Sequence, residues 1–199
     1  MASNLKSVYN SKIVDFLKNS TIPKTSTVFK GTLYEHTVVR ELEHKFHKFG
    51  FISGDSSNHF HGSPSNKTQP NKLNGLEIIG GSFDHGIDII GQLNGSLTKL
   101  LVQCKCFSKQ KVAGKEIREL VGATSMYKTM NTQFESLSVL ASPNTITKDG
   151  IQVMNKIPIP LIYIQVSMLN AKDLDQSGQI LSVYENDCSY KKYGFSKIN

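Results

Sequence analysis

Gly80-Gly81-Ser82-Phe83-Asp84-His85-Gly86-Ile87-Asp88, together with Leu100-Leu101-Val102-Gln103-Cys104-Lys105-Cys106-Phe107, decides how this chain is read. Leu76 to Ile79 reads as a strand, Gly80-Gly81-Ser82 as a turn, and Gly86 to Leu93 as a second strand. Asn94-Gly95 then marks a hairpin, and Leu100 to Phe107 is its return strand. Side chains alternate along a strand, so Leu101, Gln103, Lys105 and Phe107 share one face of the return strand while Leu100, Val102, Cys104 and Cys106 share the other. The second set is core. A Gln and a Lys two apart on an otherwise apolar strand need partners, because burying either alone costs on the order of several kcal/mol. A turn near Asn94-Gly95 brings Asp88 opposite Gln103 and Lys105.

Outward from this hairpin, helices alternate with strands. Thr32 is expected to cap a helix with Glu35 at its third position, in which Tyr34, Val38, Leu42, Phe46 and Phe49 recur at helical spacing as far as Gly50. Ile117, Leu120, Val121, Thr124 and Tyr127 form a second helical stripe between about Lys115 and Met130. Leu137 to Ala141 reads as a buried strand, Thr145-Ile146-Thr147 opens a short helix to about Lys156, and Pro160 to Val166 is a final apolar strand. Strands joined through helices imply parallel pairing, so the expected fold is α/β, a mixed sheet flanked by helices on both faces. The expected divisions are an N-terminal extension over 1–26, a domain over 27–170 and a C-terminal extension over 171–199. Ser53 to Gly75, dominated by Ser, Asn, Gly, His and Pro, reads as a mobile surface loop. Its His59 and His61 have no other ligand at zinc spacing.

The chain has 199 residues, 38% apolar and 20% charged, which bounds it to one globular domain with tails and leaves no apolar run of about 18 residues to span a bilayer. Its net charge of +7 favours a polyanionic partner. Residues 99 to 128 hold much of it, with Lys99, Lys105, Lys109, Lys111, Lys115, Arg118 and Lys128 against Glu116 and Glu119. This stretch faces phosphates or is a solvated face that keeps the protein soluble. Three cysteines, two of them alternating along one strand, point to a reducing compartment and not to a disulfide framework. The first 20 residues are rich in Ser and Lys but lack Arg, and they read as a targeting leader, or Ser11 to Asn19 as a short docked helix with Ile13, Phe16 and Leu17 on one side.

The polar cluster matches what hydrolysis of a phosphodiester with Mg2+ or Mn2+ requires. Asp88, the Gln103 side chain and the Cys104 backbone carbonyl offer hard oxygen ligands, and Lys105 can position water and offset charge growing on the phosphate. The alternative is a structural salt bridge between Asp88 and Lys105, with Gln103 bonding a backbone group. Cys104-x-Cys106 lacks two further ligands for zinc, and Gly80-Gly81 is too short to cradle a phosphate. Asp84 either binds a second metal or caps its own turn.

The same run resembles the Mrr-like branch of the PD-(D/E)xK nucleases, in which a Gly-rich turn leads to the catalytic Asp and Gln replaces the second acid of the signature. Gly31-Thr32-Leu33-Tyr34-Glu35 resembles that branch's first helix, and Glu119-Leu120-Val121-Gly122-Ala123 resembles the helix after the Lys strand. The resemblance implies a restriction-endonuclease-like core with Glu35, Asp88, Gln103 and Lys105 as its active-site set. Phe83 and His85 stand where that branch often has small residues. More narrowly, Ser26-Thr27-Val28-Phe29-Lys30-Gly31-Thr32-Leu33-Tyr34-Glu35, Gly86-Ile87-Asp88-Ile89-Ile90-Gly91 and Ile117-Arg118-Glu119-Leu120 resemble the fungal mitochondrial "required for respiratory growth protein 7" family. The implied function is a Mg2+-dependent, DNA-directed nuclease in mitochondrial nucleic-acid maintenance, with Lys99, Lys109, Lys111, Lys115 and Arg118 on phosphates and DNA preferred over RNA. Its rival is a non-hydrolytic binder of nucleic acid or of a mitochondrial partner on the same fold. A third reading is a structure-selective binder acting as a homodimer.

Overall fold

The computed structural model describes residues 2–46, 51–52, 75–80, 85–93 and 95–197. Two helices, α1 (Ala2–Asn19) and α2 (Thr27–Lys45), precede the strands β1 (Phe51–Ile52), β2 (Glu77–Ile78), β3 (Ile89–Leu93) and β4 (Thr98–Cys104). Then come α3 (Gly114–Met130), β5 (Glu135–Ser142), α4 (Lys148–Lys156), β6 (Leu161–Val166), β7 (Ile180–Glu185) and α5 (Asp187–Lys192). The strands form one mixed sheet in the order β1-β3-β4-β5-β6-β7, with β2 also paired to β3. β3 and β4 run antiparallel with Ile89 opposite Val102, whereas β4-β5 and β5-β6 are parallel, as the intervening helices require.

Alternation along β4 sorts the core into two layers. Leu100 and Val102 meet Tyr34, Val38 and Leu42 of α2, and Phe46 just past its end, on one face, and Leu101 meets Ile117 and Leu120 of α3 on the other. Both thiols, Cys104 and Cys106, pack toward the α2 layer as the alternation predicts.

Several boundaries differ from the sequence reading. The α2 cap is Ser26, whose hydroxyl accepts the Phe29 amide at 3.0 Å, and not Thr32. The helix starts earlier because Phe29 and Leu33, one turn apart, bury against α1 and extend the apolar stripe toward the N-terminus. Its expected end at Gly50 lies outside the described residues, as do the loop 53–74 and residues 81–84 of the Gly-rich turn. Ser11–Asn19 is the second half of α1 and is docked, with Ile13 buried and Phe16 and Leu17 packed against Phe29 and Leu33. The strand expected over Leu100–Phe107 ends at Cys104, because the Phe107 amide turns back onto the Lys105 carbonyl at 2.9 Å.

The stretch 171–199, read as an extension, adds β7 antiparallel to β6 and lays Phe195 in the α2 core layer. Asn186 locks this addition in place. Its Nδ2 donates to the carbonyls of Met154, Ile157 and Ile159, and its Oδ1 accepts the amides of Leu161 and Ser189. No helix among the described residues is long and apolar enough to cross a membrane.

Candidate active site

In a sheet with crossover helices, the place where loops diverge at the carboxyl ends of neighbouring strands is a natural ligand crevice. Here that place is the end of β4, the strand that pairs antiparallel with β3 on one side and parallel with β5 on the other. Asp88 arrives from a sharp turn in which His85 and Gly86 have φ of 51° and 82°. A Cβ at Gly86 would lie 3.0 Å from Gln103 Nε2, so both the backbone conformation and the close approach call for glycine there. The Asp88 amide donates to the Val102 carbonyl at 2.9 Å, and its carboxylate Oδ2 accepts the Cys104 amide at 2.6 Å. The hairpin therefore brings Asp88 against the Gln103–Cys104 stretch, as its predicted turn required.

Gln103 is 6% exposed, and its Oε1 has no hydrogen-bond partner among the described residues. The expected alternative, an amide bonded to a backbone group, leaves this oxygen unaccounted for. Glu35 reaches the same region from α2, since a Cβ on Gly80 would lie 3.4 Å from its Oε2. The Cys104 thiol registers both carboxylates. It is pushed well above its ordinary pKa by burial first, then by the negative charges of Asp88 and Glu35. Cys106 is raised in the same way by burial and by Glu35, with Lys30 opposing.

Lys105 is not the partner of Asp88. Its ammonium lies 2.8 Å from Glu119 Oε2 on α3, and Lys115 lies 3.7 Å from the other oxygen of that carboxylate. The hydrogen bond from Lys105 is the main reason that the Glu119 carboxyl stays below the usual carboxylate range. The Asp88–Lys105 salt bridge expected as a structural alternative is thus replaced by a half-exposed Lys105–Glu119 pair. Sequence reading assigned Glu119 no role. The pairing spans 14 residues and two elements, and the only local signal was the i,i+4 spacing of Lys115 and Glu119.

Among the described residues no group of three His, Cys, Asp or Glu side chains could hold a metal ion. A cation at Asp88 would need the Gln103 amide oxygen and backbone or water oxygens, the kind of set hard divalent ions accept. Asp84 and Phe83, which bear on a second ion and on the approach of a strand, lie outside the described residues.

Of the expected phosphate-binding residues, Lys109, Lys111, Lys115 and Arg118 are exposed and follow β4 at the Lys105 end of the sheet. Lys99 does not belong with them. It is 5% exposed, and its ammonium lies 4.4 Å from the centre of the Phe134 ring. It also sits five residues before Cys104, about 17 Å away along the strand.

A family model described as "Required for respiratory growth protein 7" matches residues 94–193. Among curated relatives, "Required for respiratory growth protein 7, mitochondrial" of Lachancea thermotolerans is 34% identical, covering 92% of this chain and 79% of the relative. Proteins of the same name from Vanderwaltozyma polyspora and Saccharomyces cerevisiae are 34% and 32% identical, over 91% and 89% of this chain and 82% and 83% of theirs. No solved structure matches.

Proposed function

We propose, from the fact that the chain belongs to the mitochondrial family of Required for respiratory growth protein 7, that the Asp88–Gln103–Lys105 cluster is a divalent-metal site for phosphodiester hydrolysis on DNA, set in a restriction-endonuclease-like core. The observation that carries the reading is the Gln103 oxygen, buried on the strand across from the turn that leads to Asp88 and with no donor among the described residues. Leaving such an acceptor unpaired costs about 1–3 kcal/mol, and a bound cation would offset that cost. Asp88, Gln103 Oε1 and the Cys104 carbonyl would hold Mg2+ or Mn2+, with water completing the shell. The ion supplies Lewis acidity toward a phosphoryl oxygen and an acidified water.

The chain's own residues do the rest. Lys105 orients the attacking water and offsets negative charge growing on the phosphate. Glu35, lying against the turn that leads to Asp88, adds a second carboxylate on the α2 side of the same crevice. Exposed Lys109, Lys111, Lys115 and Arg118 contact phosphates with little preference for sequence. The Lys105–Glu119 pair favours a second reading, in which Lys105 is already satisfied and the protein binds nucleic acid without cutting it.

Metal binding separates ligand from bystander. Metal-stripped protein should be stabilised by Mg2+ by RT ln(1 + [L]/Kd), about 2.7 kcal/mol at a hundredfold excess over Kd, read as a rise in melting temperature. Asp88→Ala should lose the response. Gln103→Met should melt no lower than wild type without metal, because it removes an unpaired buried acceptor, yet it should respond less to Mg2+. A full Mg2+ response in both variants would remove these residues from the site.

A further inference from the structure

The exposed loop between β4 and α3 is held by one side chain whose bonds point to a positioning role. Asn144 Nδ2 donates to the Phe107 carbonyl at 2.8 Å and to the Gln110 carbonyl at 3.1 Å. The segment that carries Asn144 is itself fixed from the sheet. The hydroxyl of buried Tyr163 on β6 donates to the Asn144 carbonyl, and Gln165 Nε2 donates to the Pro143 carbonyl at 3.1 Å. Both ends of the loop are also tied. The Lys105 amide reaches the Ala141 carbonyl at 2.8 Å, and Val112 exchanges backbone bonds with Thr145 and Thr147. Between these ties, Ser108 to Lys111 are all exposed, and among the described residues the Asn144 amide group is the one side chain that bonds the middle of the run.

We infer that Asn144 is a positioning residue for polyanion binding. It draws the Gln110 carbonyl inward, so that Lys109 and Lys111 on either side are presented to a phosphate backbone as a preformed pair. This rests on the nucleic-acid reading of the basic face given above. The physical gain is preorganisation. A loop already ordered gives up less conformational freedom when it binds, whereas a loop without its central tie must be ordered by the ligand.

The test uses the full chain and a random-sequence duplex DNA as probe. Asn144→Asp keeps the size of the side chain but has no donor for the two carbonyls. It should speed amide hydrogen exchange at Phe107 and Val112, the hydrogen-bonded amides at the two ends of the loop, weaken duplex binding by about threefold or more, and reduce the slope of log K against log salt by about 1 to 2. Tyr163→Phe, which removes only the hydroxyl holding the Asn144 carbonyl, is the milder variant and should move each readout the same way. In a Lys109→Ala/Lys111→Ala background, the charge-neutral Tyr163→Phe should have no further effect on affinity. Wild-type affinity in both variants, or an equal loss in the background lacking the lysines, would overturn the inference. Absence of duplex binding by the wild-type chain would instead overturn the nucleic-acid reading on which the inference stands.

Discussion

Lys105→Ala should lose metal-dependent phosphodiester cleavage by at least about a hundredfold, the scale of a single transition-state contact, while keeping near-normal stability and duplex binding. The ion pair it breaks lies at the surface, where Glu119 is 39% exposed, and such pairs contribute about 1 kcal/mol or less. Glu119 can turn to Lys115, already 3.7 Å from its other oxygen. Had Lys105 been the buried partner of Asp88, its removal would have left an uncompensated carboxylate and cost about 3–5 kcal/mol. The Lys105–Glu119 geometry therefore makes the variant a clean probe, since loss of cleavage cannot be blamed on unfolding. Cleavage at the wild-type rate in Lys105→Ala, measured on supercoiled DNA with circular dichroism as the control for folding, would remove Lys105 from the chemistry.

Arg40→Ala should instead unfold the protein readily, with a loss of about 3–5 kcal/mol in urea denaturation and no direct bearing on the site. Arg40 is fully buried. Its guanidinium donates to Glu41 Oε1, Asn10 Oδ1 and the carbonyls of Leu174, Ser177 and Gly178, so one side chain joins α1, α2 and the connection from β6 to β7. Truncation strands the nearly buried Glu41 carboxylate and three carbonyls at once. Gly178 belongs to the same joint. Its φ is +68°, and a Cβ there would lie 2.8 Å from an Arg40 nitrogen and 2.6 Å from the Thr37 methyl. A change within about 1 kcal/mol would show that water or neighbouring groups replace those bonds.

How much of this was legible in the sequence depends on whether a local rule governed it. Alternation along the return strand identified the core thiols, and the hairpin turn brought Asp88 to Gln103–Cys104. Crossover helices correctly implied parallel β4-β5-β6 pairing. Charge counting misled at Lys99, because a tally along the chain ignores the length of the strand. The alternation that groups Gln103 and Lys105 also sets Lys99 on that face, but at the far end of β4, where it packs against Phe134. The Ser26 cap was missed because α1, which buries Phe29 and Leu33, supplies the reason for the earlier start. Glu119, Arg40 and Asn144 also reach partners 14, 138 and 37 residues away, and no spacing rule in the sequence joins such distant groups.

The most direct measurement is cleavage by the purified wild-type chain on supercoiled, nicked and single-stranded DNA, with Mg2+, with Mn2+ and with a chelator. A metal-dependent nuclease gives products that require the metal, disappear with chelation, and are absent in Asp88→Ala protein that still binds duplex. Wild-type protein that is folded, binds duplex and leaves every substrate intact in either metal would contradict that reading, and would make the Lys105–Glu119 pair a structural feature of a nucleic-acid-binding protein.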